Sequence, residues 1–208
     1  MKGYLITFEG IDGSGKSTQA NLIHSRLNDS GRKVIILREP GGTELGEKIR
    51  SLLLDNTFSD MTPHTELFLY LAARAQITAN VIVPALNRGE DVIMDRYIDS
   101  TAAYQGYGRG LGIKEIVGLN LIATGGLVPD MTFIIDCDPE KAMKRLTATP
   151  DRLESEGVEF MKKVREGFLA LREHEPRRIV VCDGNRGIEE IERDIVSRLR
   201  DDLGLASL

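Results

Sequence analysis

The sequence predicts an α/β fold, a five-stranded parallel sheet with helices on both faces. Three observations carry that prediction. Five short apolar runs have the length and branching of strands buried on both sides, helical patterns separate them, and a glycine-rich turn joins the first run to the first helix. The strands are expected over 4–8, 33–37, 91–94, 131–135 and 178–181. Apolar spacing predicts helices over 16–28, 43–54, 65–87, 114–123, 139–146, 157–172 and 188–203, with Gly31 and Gly89 as stop signals for the first and third. Strands that alternate with helices in this way build parallel βαβ units. Two stretches interrupt the pattern: 106–112, with four glycines in seven residues, and 147–156, polar with Pro150 inside. Both read as surface loops, either plain connections or lids.

Length and composition bound the rest. A chain of 208 residues with 41% apolar and 28% charged side chains can bury a core without metals or disulfides, and no linker or repeat divides it, so one domain over 1–208 is expected. The balance of 27 Lys and Arg against 32 Asp and Glu gives a net charge of −5. That sign argues against wholesale binding to a nucleic acid polymer or an anionic membrane, while leaving room for a local basic site. Cys137 and Cys182 are the only cysteines and offer neither a disulfide framework nor a zinc knuckle; they read as buried thiols of a reducing cytoplasm. Glu9 interrupts the N-terminal apolar run, so no signal peptide is expected, and the uncharged runs 75–87 and 116–129 fall short of a membrane span.

The strongest chemical signal is Gly10-Ile11-Asp12-Gly13-Ser14-Gly15-Lys16-Ser17, followed by Thr18, which fits G-x-x-x-x-G-K-[ST] after a strand and before a helix. Its glycines let backbone N–H groups converge on phosphate oxygens, and the helix N-terminus adds its positive dipole end. Lys16 offers a mobile cation, and the Ser17 hydroxyl can ligate Mg²⁺. Such a loop could serve a switch, a motor or a kinase. A guanine-specific switch would be expected to carry Asn-Lys-x-Asp, which is absent, and a motor would be longer. A small-molecule kinase must hold a second substrate, and three polar clusters are candidates for that task.

Asp95-Arg96-Tyr97 follows the third strand, which puts Asp95 at a strand's C-terminal end, where it could hold Mg²⁺. With a helix starting near Arg96, Arg96, Ser100 and Tyr104 share one face, with Thr101 and Gln105 beside them; an ordinary surface helix would tolerate the same residues. Tyr70 and Arg74 lie one turn apart in an apolar helix, either a core tyrosine with a snorkelling arginine or a base-stacking platform with a reader of the base edge. Arg38-Glu39-Pro40-Gly41-Gly42-Thr43 leaves the second strand, and Arg50 follows two turns into the next helix.

Together with Leu71-Ala72-Ala73-Arg74 and Asp151-Arg152-Leu153-Glu154, these segments resemble the thymidylate kinase family, ATP-dependent dTMP kinases of the P-loop nucleoside monophosphate kinase group. The resemblance implies a P-loop kinase fold with a short lid at about 147–156, ATP and Mg²⁺ as cofactors, dTMP as substrate, dTTP synthesis as the setting and a homodimer. By the same resemblance the ATP phosphates would rest on residues 10–18, and Ser17 and Asp95 would serve Mg²⁺. Asp12 would meet the sugar 3′-hydroxyl, and Arg50 and Arg96 the acceptor phosphate. Tyr70 would cover the face of thymine and Arg74 its O4 edge. Tyr104 would fill the space of a ribose 2′-hydroxyl, and Ser100, Thr101 and Gln105 would line the pocket. An arginine at O4 suits thymine or uracil, whereas cytosine would turn an amino donor toward it.

An acceptor phosphate is largely dianionic at neutral pH, its second pKa being about 6, so no general base is needed. The reaction asks for charge neutralisation, for which Lys16, Mg²⁺ and arginines suffice. This fits His24, His64 and His174 reading as surface residues. In the family a catalytic cation sits in the phosphate loop or in the lid. Gly13 stands at the variable loop position here, so Arg152 is expected to supply the lid charge, with Arg145 behind it. Tyr70 stands where phenylalanine is more usual, and 147–150 lack the arginines that relatives commonly carry. The segment 183–186, after the last strand, is either an adenine contact or a plain turn. Two rivals stand beside a dTMP kinase: a P-loop kinase for another nucleotide, and a nucleotide-binding regulator without an acceptor.

Overall fold

A computed structural model describes residues 3–147 and 149–205. Five parallel strands, β1 (Leu5–Glu9), β2 (Val34–Arg38), β3 (Asp91–Asp95), β4 (Met131–Asp136) and β5 (Ile179–Asp183), lie in the order β2-β3-β1-β4-β5. All five expected strands form, each ending one or two residues later than its apolar run because the sheet also takes in the polar exit residue. Those exits, Glu9, Arg38, Asp95, Asp136 and Asp183, are chemistry-bearing side chains at the carboxyl edge, where open α/β sheets bind ligands. The register pairs Phe8 and Arg38 with Asp95, so β1, β2 and β3 end level.

Helices α1 (Lys16–Asp29) and α9 (Ile188–Leu203) cover one face. Ala20, Ile23, Leu27, Ile191, Ile195 and Leu199 pack there against Ile6, Phe8 and Phe133. Strand alternation sends Leu5, Thr7 and Glu9 of β1 to the opposite face. That face carries α3 (Pro63–Ile77), α4 (Val83–Asn87), α5 (Ile98–Thr101), α6 (Ile113–Thr124) and α8 (Val158–His174). Helix α2 (Glu44–Leu54), capped by Thr43 accepting from the Gly46 N–H, packs on α3, and the short α7 (Pro139–Met143) lies beside the phosphate loop.

The structure departs from the sequence pattern in three places. The helix expected over 65–87 is α3, a π-helical turn Thr78–Ile82 and α4 in succession, because Pro84 offers no N–H and its ring crowds the carbonyl one turn back. This run, Pro63–Asn87, is long and apolar enough to cross a membrane by length and composition, yet Leu67, Leu71, Ile77, Ile82 and Leu86 are buried in the core. The loop expected over 106–112 is half helix: α5 continues as a π-helical segment Ala102–Gly108, and only 109–112 connect. A Cβ on Gly106 would stand 3.2 Å from the Ile113 Cα and one on Gly108 3.0 Å from the Phe160 ring, so these glycines permit close packing. The third difference lies at 147–156, where a chain without regular structure gives way to a single 3₁₀ turn, Glu154–Glu156; Ala148 lies outside the described residues.

Candidate active site

The phosphate loop leaves β1 at the centre of the sheet and closes onto α1. Gly13 has φ 78°, and a Cβ there would meet the Ala142 carbonyl oxygen of α7 at 2.1 Å; Gly15, at φ 102°, caps α1. Both positions therefore require glycine. Lys16 opens α1 with its Nζ 3.2 Å from Asp12 Oδ1, and the Ser17 hydroxyl meets the Asp95 carboxylate at the exit of β3. This loop, with Arg145, Gly184, Arg186 and Ile188, bounds a cleft with about 1050 Å³ of empty space.

A second cleft, with about 520 Å³ of space including open solvent, has in its wall Asp12, the ion-pair partner of Lys16. The sequence-predicted acceptor residues Asp12, Arg50, Tyr70, Arg74, Arg96, Ser100, Thr101, Tyr104 and Gln105 all line it. Arg96 reaches Asp12 Oδ1 (2.7 Å), the Ser100 hydroxyl (2.9 Å) and the Tyr104 hydroxyl (3.1 Å), with its guanidinium 5.0 Å from the Tyr104 ring centre. The Tyr104 hydroxyl donates in turn to Asp12 Oδ2 at 3.2 Å. Burial pushes the Asp12 carboxyl upward, but Arg96 and Lys16 prevail and hold it well below the usual carboxylate range. Arg50 touches only the Pro40 carbonyl, at 3.1 Å, and forms no ion pair among the described residues. Burial, reinforced by nearby Arg38, lowers its pKa, the mark of a guanidinium short of an anion.

Two arginines behave differently from the sequence expectation. Arg74 is 1% exposed and spends all five of its N–H donors inside the protein. They go to Glu39 Oε2 (2.8 and 2.6 Å), Thr101 Oγ1 (2.6 Å), Asn120 Oδ1 (2.6 Å) and the Tyr97 carbonyl (2.9 Å). It fixes the cleft wall and has no free donor for a base edge. Arg152 was expected to supply the charge of the lid. Its guanidinium is instead buried between Glu66 (2.7 Å) and the Leu53 carbonyl (2.8 Å) because the chain after Pro150 folds back under α2 and α3. The arginine at the loop is Arg145, whose Nη1 donates to the Gly13 carbonyl at 3.2 Å. The histidines line neither cleft, in keeping with the sequence reading.

A thymidylate kinase family model matches residues 8–195. A thymidylate kinase of Thermoanaerobacter sp. (strain X514) is 48% identical over 198 residues, covering 94% of this chain and 97% of the relative. One from Chlorobaculum parvum is 47% identical over 207 residues, covering 94% and 95%. The crystal structure of thymidylate kinase from Ehrlichia chaffeensis superposes with a TM-score of 0.79 at 35% identity, covering 96% of this chain and 99% of that one.

This chain belongs to the thymidylate kinase family.

In this family member, sequence reasoning passed over four buried acids that organise the site. Glu9 accepts from the Tyr97 N–H (2.7 Å), the Ser100 N–H (3.3 Å) and the Ser100 hydroxyl (2.5 Å). Glu39 holds Arg74, and Glu66 gathers Gln105, Arg109 and Arg152. Asp99 pairs with Arg178 at 2.7 Å and accepts from Thr132. The signal was available for Glu9 and Glu66, because an acid inside an otherwise apolar strand or helix must find partners. Arg186, paired with Asp194, was seen only as part of an ambiguous turn; it stands with Ile188 at the mouth of the loop cleft.

Burial drives the Glu9 carboxyl from its ordinary 4.5 to about 8, with Asp99 adding to the rise and Ser100 and Arg96 opposing it. The folded state thus keeps a proton that the unfolded chain releases near 4.5, so the associated stability is complete below that pH and is lost as pH rises toward 8. The melting temperature of Glu9→Gln, which cannot titrate, should fall less between pH 5 and pH 8 than that of the wild type; parallel declines in thermal melts would refute this assignment.

Proposed function

We propose that the chain transfers the terminal phosphoryl group of ATP to dTMP, giving ADP and dTDP on the way to dTTP. Family membership supports the reaction. The observation that carries the site assignment is that two clefts flank one ion pair: Lys16 lines the phosphate-loop cleft, and its partner Asp12 lines an aromatic cleft rich in arginine. In this reading the loop N–H groups and Lys16 hold the ATP phosphates. Arg50, without an ion-pair partner among the described residues, and Arg96, with donors to spare, take the acceptor phosphate. Tyr70 covers the base, and Tyr104, pinned by Arg96 and Asp12, leaves no space for a 2′-hydroxyl.

Mg²⁺ fits the two hard oxygen ligands brought together at the start of α1, Ser17 Oγ and an Asp95 carboxylate oxygen. When bound it would offset negative charge on the phosphates. Proton abstraction is not needed from a dianionic acceptor, and Asp12 is unsuited to it because its pKa is held so low. What the chain's own residues do is align and neutralise. Arg74, having no unused N–H, contributes to base recognition by fixing Thr101 and Asn120, while the remaining Gln105 amide hydrogen is free for the base. We read the chain as one catalytic domain with 147–156 as its lid, acting in the cytoplasm on small phosphates, not on nucleic acid or membranes. The acidic balance and the two free cysteines accord with that setting.

A coupled assay of ADP release over a panel of nucleoside monophosphates should give turnover with dTMP above every other acceptor, and Lys16→Ala should lower kcat by at least about a thousandfold. No dTMP turnover above the blank would favour a nucleotide-binding regulator; a better purine or dUMP acceptor would favour the rival kinase.

The catalytic cation is then Arg145, which stands at the phosphate loop and outside 147–156. Arg145→Ala should lower kcat more than it raises KM for ATP. Arg152→Ala should act mainly through stability, costing about 1.5–3 kcal/mol in urea unfolding, because it removes one of the two arginines that pair with the buried Glu66. The reverse pattern would return the catalytic role to Arg152.

A homodimer completes the proposal. Leu45 and Leu52 of α2, Phe68 of α3, and Val117, Leu121 and Ile122 of α6 are exposed apolar side chains on neighbouring helices, with Phe68 57% and Ile122 78% exposed. The sequence pointed to 67–71 and 116–121; in the fold Leu67, Leu71 and Ile116 face inward, leaving Phe68, Val117 and Leu121 for a partner. Light scattering should give twice the chain mass for wild type and half that value for Phe68→Glu.

A further inference from the structure

Arg96, assigned to the acceptor phosphate, is the only non-glycine with positive φ among the described residues, at 70°. A left-handed backbone is unfavourable for arginine and persists only where the surroundings over-determine it. Its own N–H bonds the Phe8 carbonyl at 3.0 Å, which extends the β1–β3 ladder to the brink of the turn. Beyond that point the chain must reverse into α5, and the free N–H groups of Tyr97 and Ser100 point back at the sheet. They meet Glu9, the last residue of β1, whose side chain is fully buried on the α5 face. All three side-chain partners of Glu9 belong to this one turn, and one of them, the Ser100 hydroxyl, also takes the Arg96 Nη1 at 2.9 Å.

We propose that Glu9 is a positioning residue of the acceptor half: by holding Tyr97 and Ser100 it keeps Arg96 in its left-handed backbone and, through Ser100, aims the guanidinium at the acceptor phosphate. The inference rests on the cleft being the dTMP site. The same strand that delivers the phosphate loop thus also sets the acceptor arginine. Residues 9 and 10 are adjacent, so donor and acceptor halves share a single rigid reference at the centre of the sheet. A core acid with only a folding role would be indifferent to which substrate is measured, whereas this one acts on dTMP alone.

Two substitutions separate the roles. Glu9→Met keeps the length of the side chain and removes its acceptors; Glu9→Gln retains an oxygen for the Tyr97 N–H. Steady-state kinetics on folded protein should show kcat/KM for dTMP reduced about 10- to 100-fold in Glu9→Met, with KM for ATP unchanged within about twofold and Glu9→Gln within about threefold of wild type. Wild-type dTMP kinetics in Glu9→Met, or equal losses toward both substrates in both variants, would overturn the proposal. Where Glu9→Met does not fold, the crystal structure of Glu9→Gln decides. The amide oxygen on the Tyr97 N–H and a left-handed Arg96 must be kept together or lost together; either one without the other overturns it. If wild-type protein phosphorylates no dTMP, the functional reading falls, while the Arg96 backbone in that crystal structure still judges Glu9.

Discussion

One carboxylate holds the two halves of this protein together. Asp12 lies inside the phosphate loop, yet its oxygens are shared by Lys16 of the donor side and by Arg96 and Tyr104 of the acceptor side. It is the counter-ion of the two cations proposed to hold phosphate, and it offsets their mutual repulsion. Because it is ionised far below neutral pH, that pairing persists throughout the physiological range. In the proposed reading, phosphates entering either cleft would compete with Asp12 for its cations.

Behind this contact lies a layer of buried acids. Glu39 with Arg74 and Glu66 with Arg109 and Arg152 are ion pairs set in the interior beside the acceptor cleft, and Asp99 with Arg178 lies below Glu9. Such pairs add little net stability, because desolvation cancels most of the attraction. They do fix direction. Arg74 clamps Thr101 and Asn120, Glu66 orients Gln105 while binding the segment that carries Arg152, and Glu9 secures the turn that presents Arg96. Most donors of the cleft wall are spent inside the protein, leaving few for ligand, although Glu39 Oε1 and Arg152 Nη2 are buried without a hydrogen-bond partner. Arg50 and Arg145 are the contrasting cases, exposed to the clefts without carboxylate partners among the described residues.

The fold was legible from apolar runs, since a strand buried on both faces announces itself by branching and length. Strand order, the placement of α5 and the use of Gly106 and Gly108 were not, because they depend on what packs against each segment. Glycine-rich sequence reads as loop when the Phe160 ring and Ile113, distant in sequence, are out of view. In the site, the phosphate loop was legible to the residue, since backbone geometry there demands glycines at fixed spacing. The acceptor residues gather as expected, but Arg74 and Arg152 do not have the freedom imagined for them: a sequence displays a charge without its partner.

The sequence by itself determined the chemistry: a phosphate loop between strand and helix, an aspartate at a strand exit, and arginines at spacings that resemble one family. These are local signals, set by turns and by helical periodicity over a few residues. Tertiary structure decided which arginines are free to meet phosphate. Arg74 met Glu39 across 35 residues and Arg152 met Glu66 beneath a folded-back segment, while Arg50 and Arg145 form no ion pair among the described residues. The physical reason is that a buried guanidinium must be neutralised, and only the folded chain brings the neutralising groups to it.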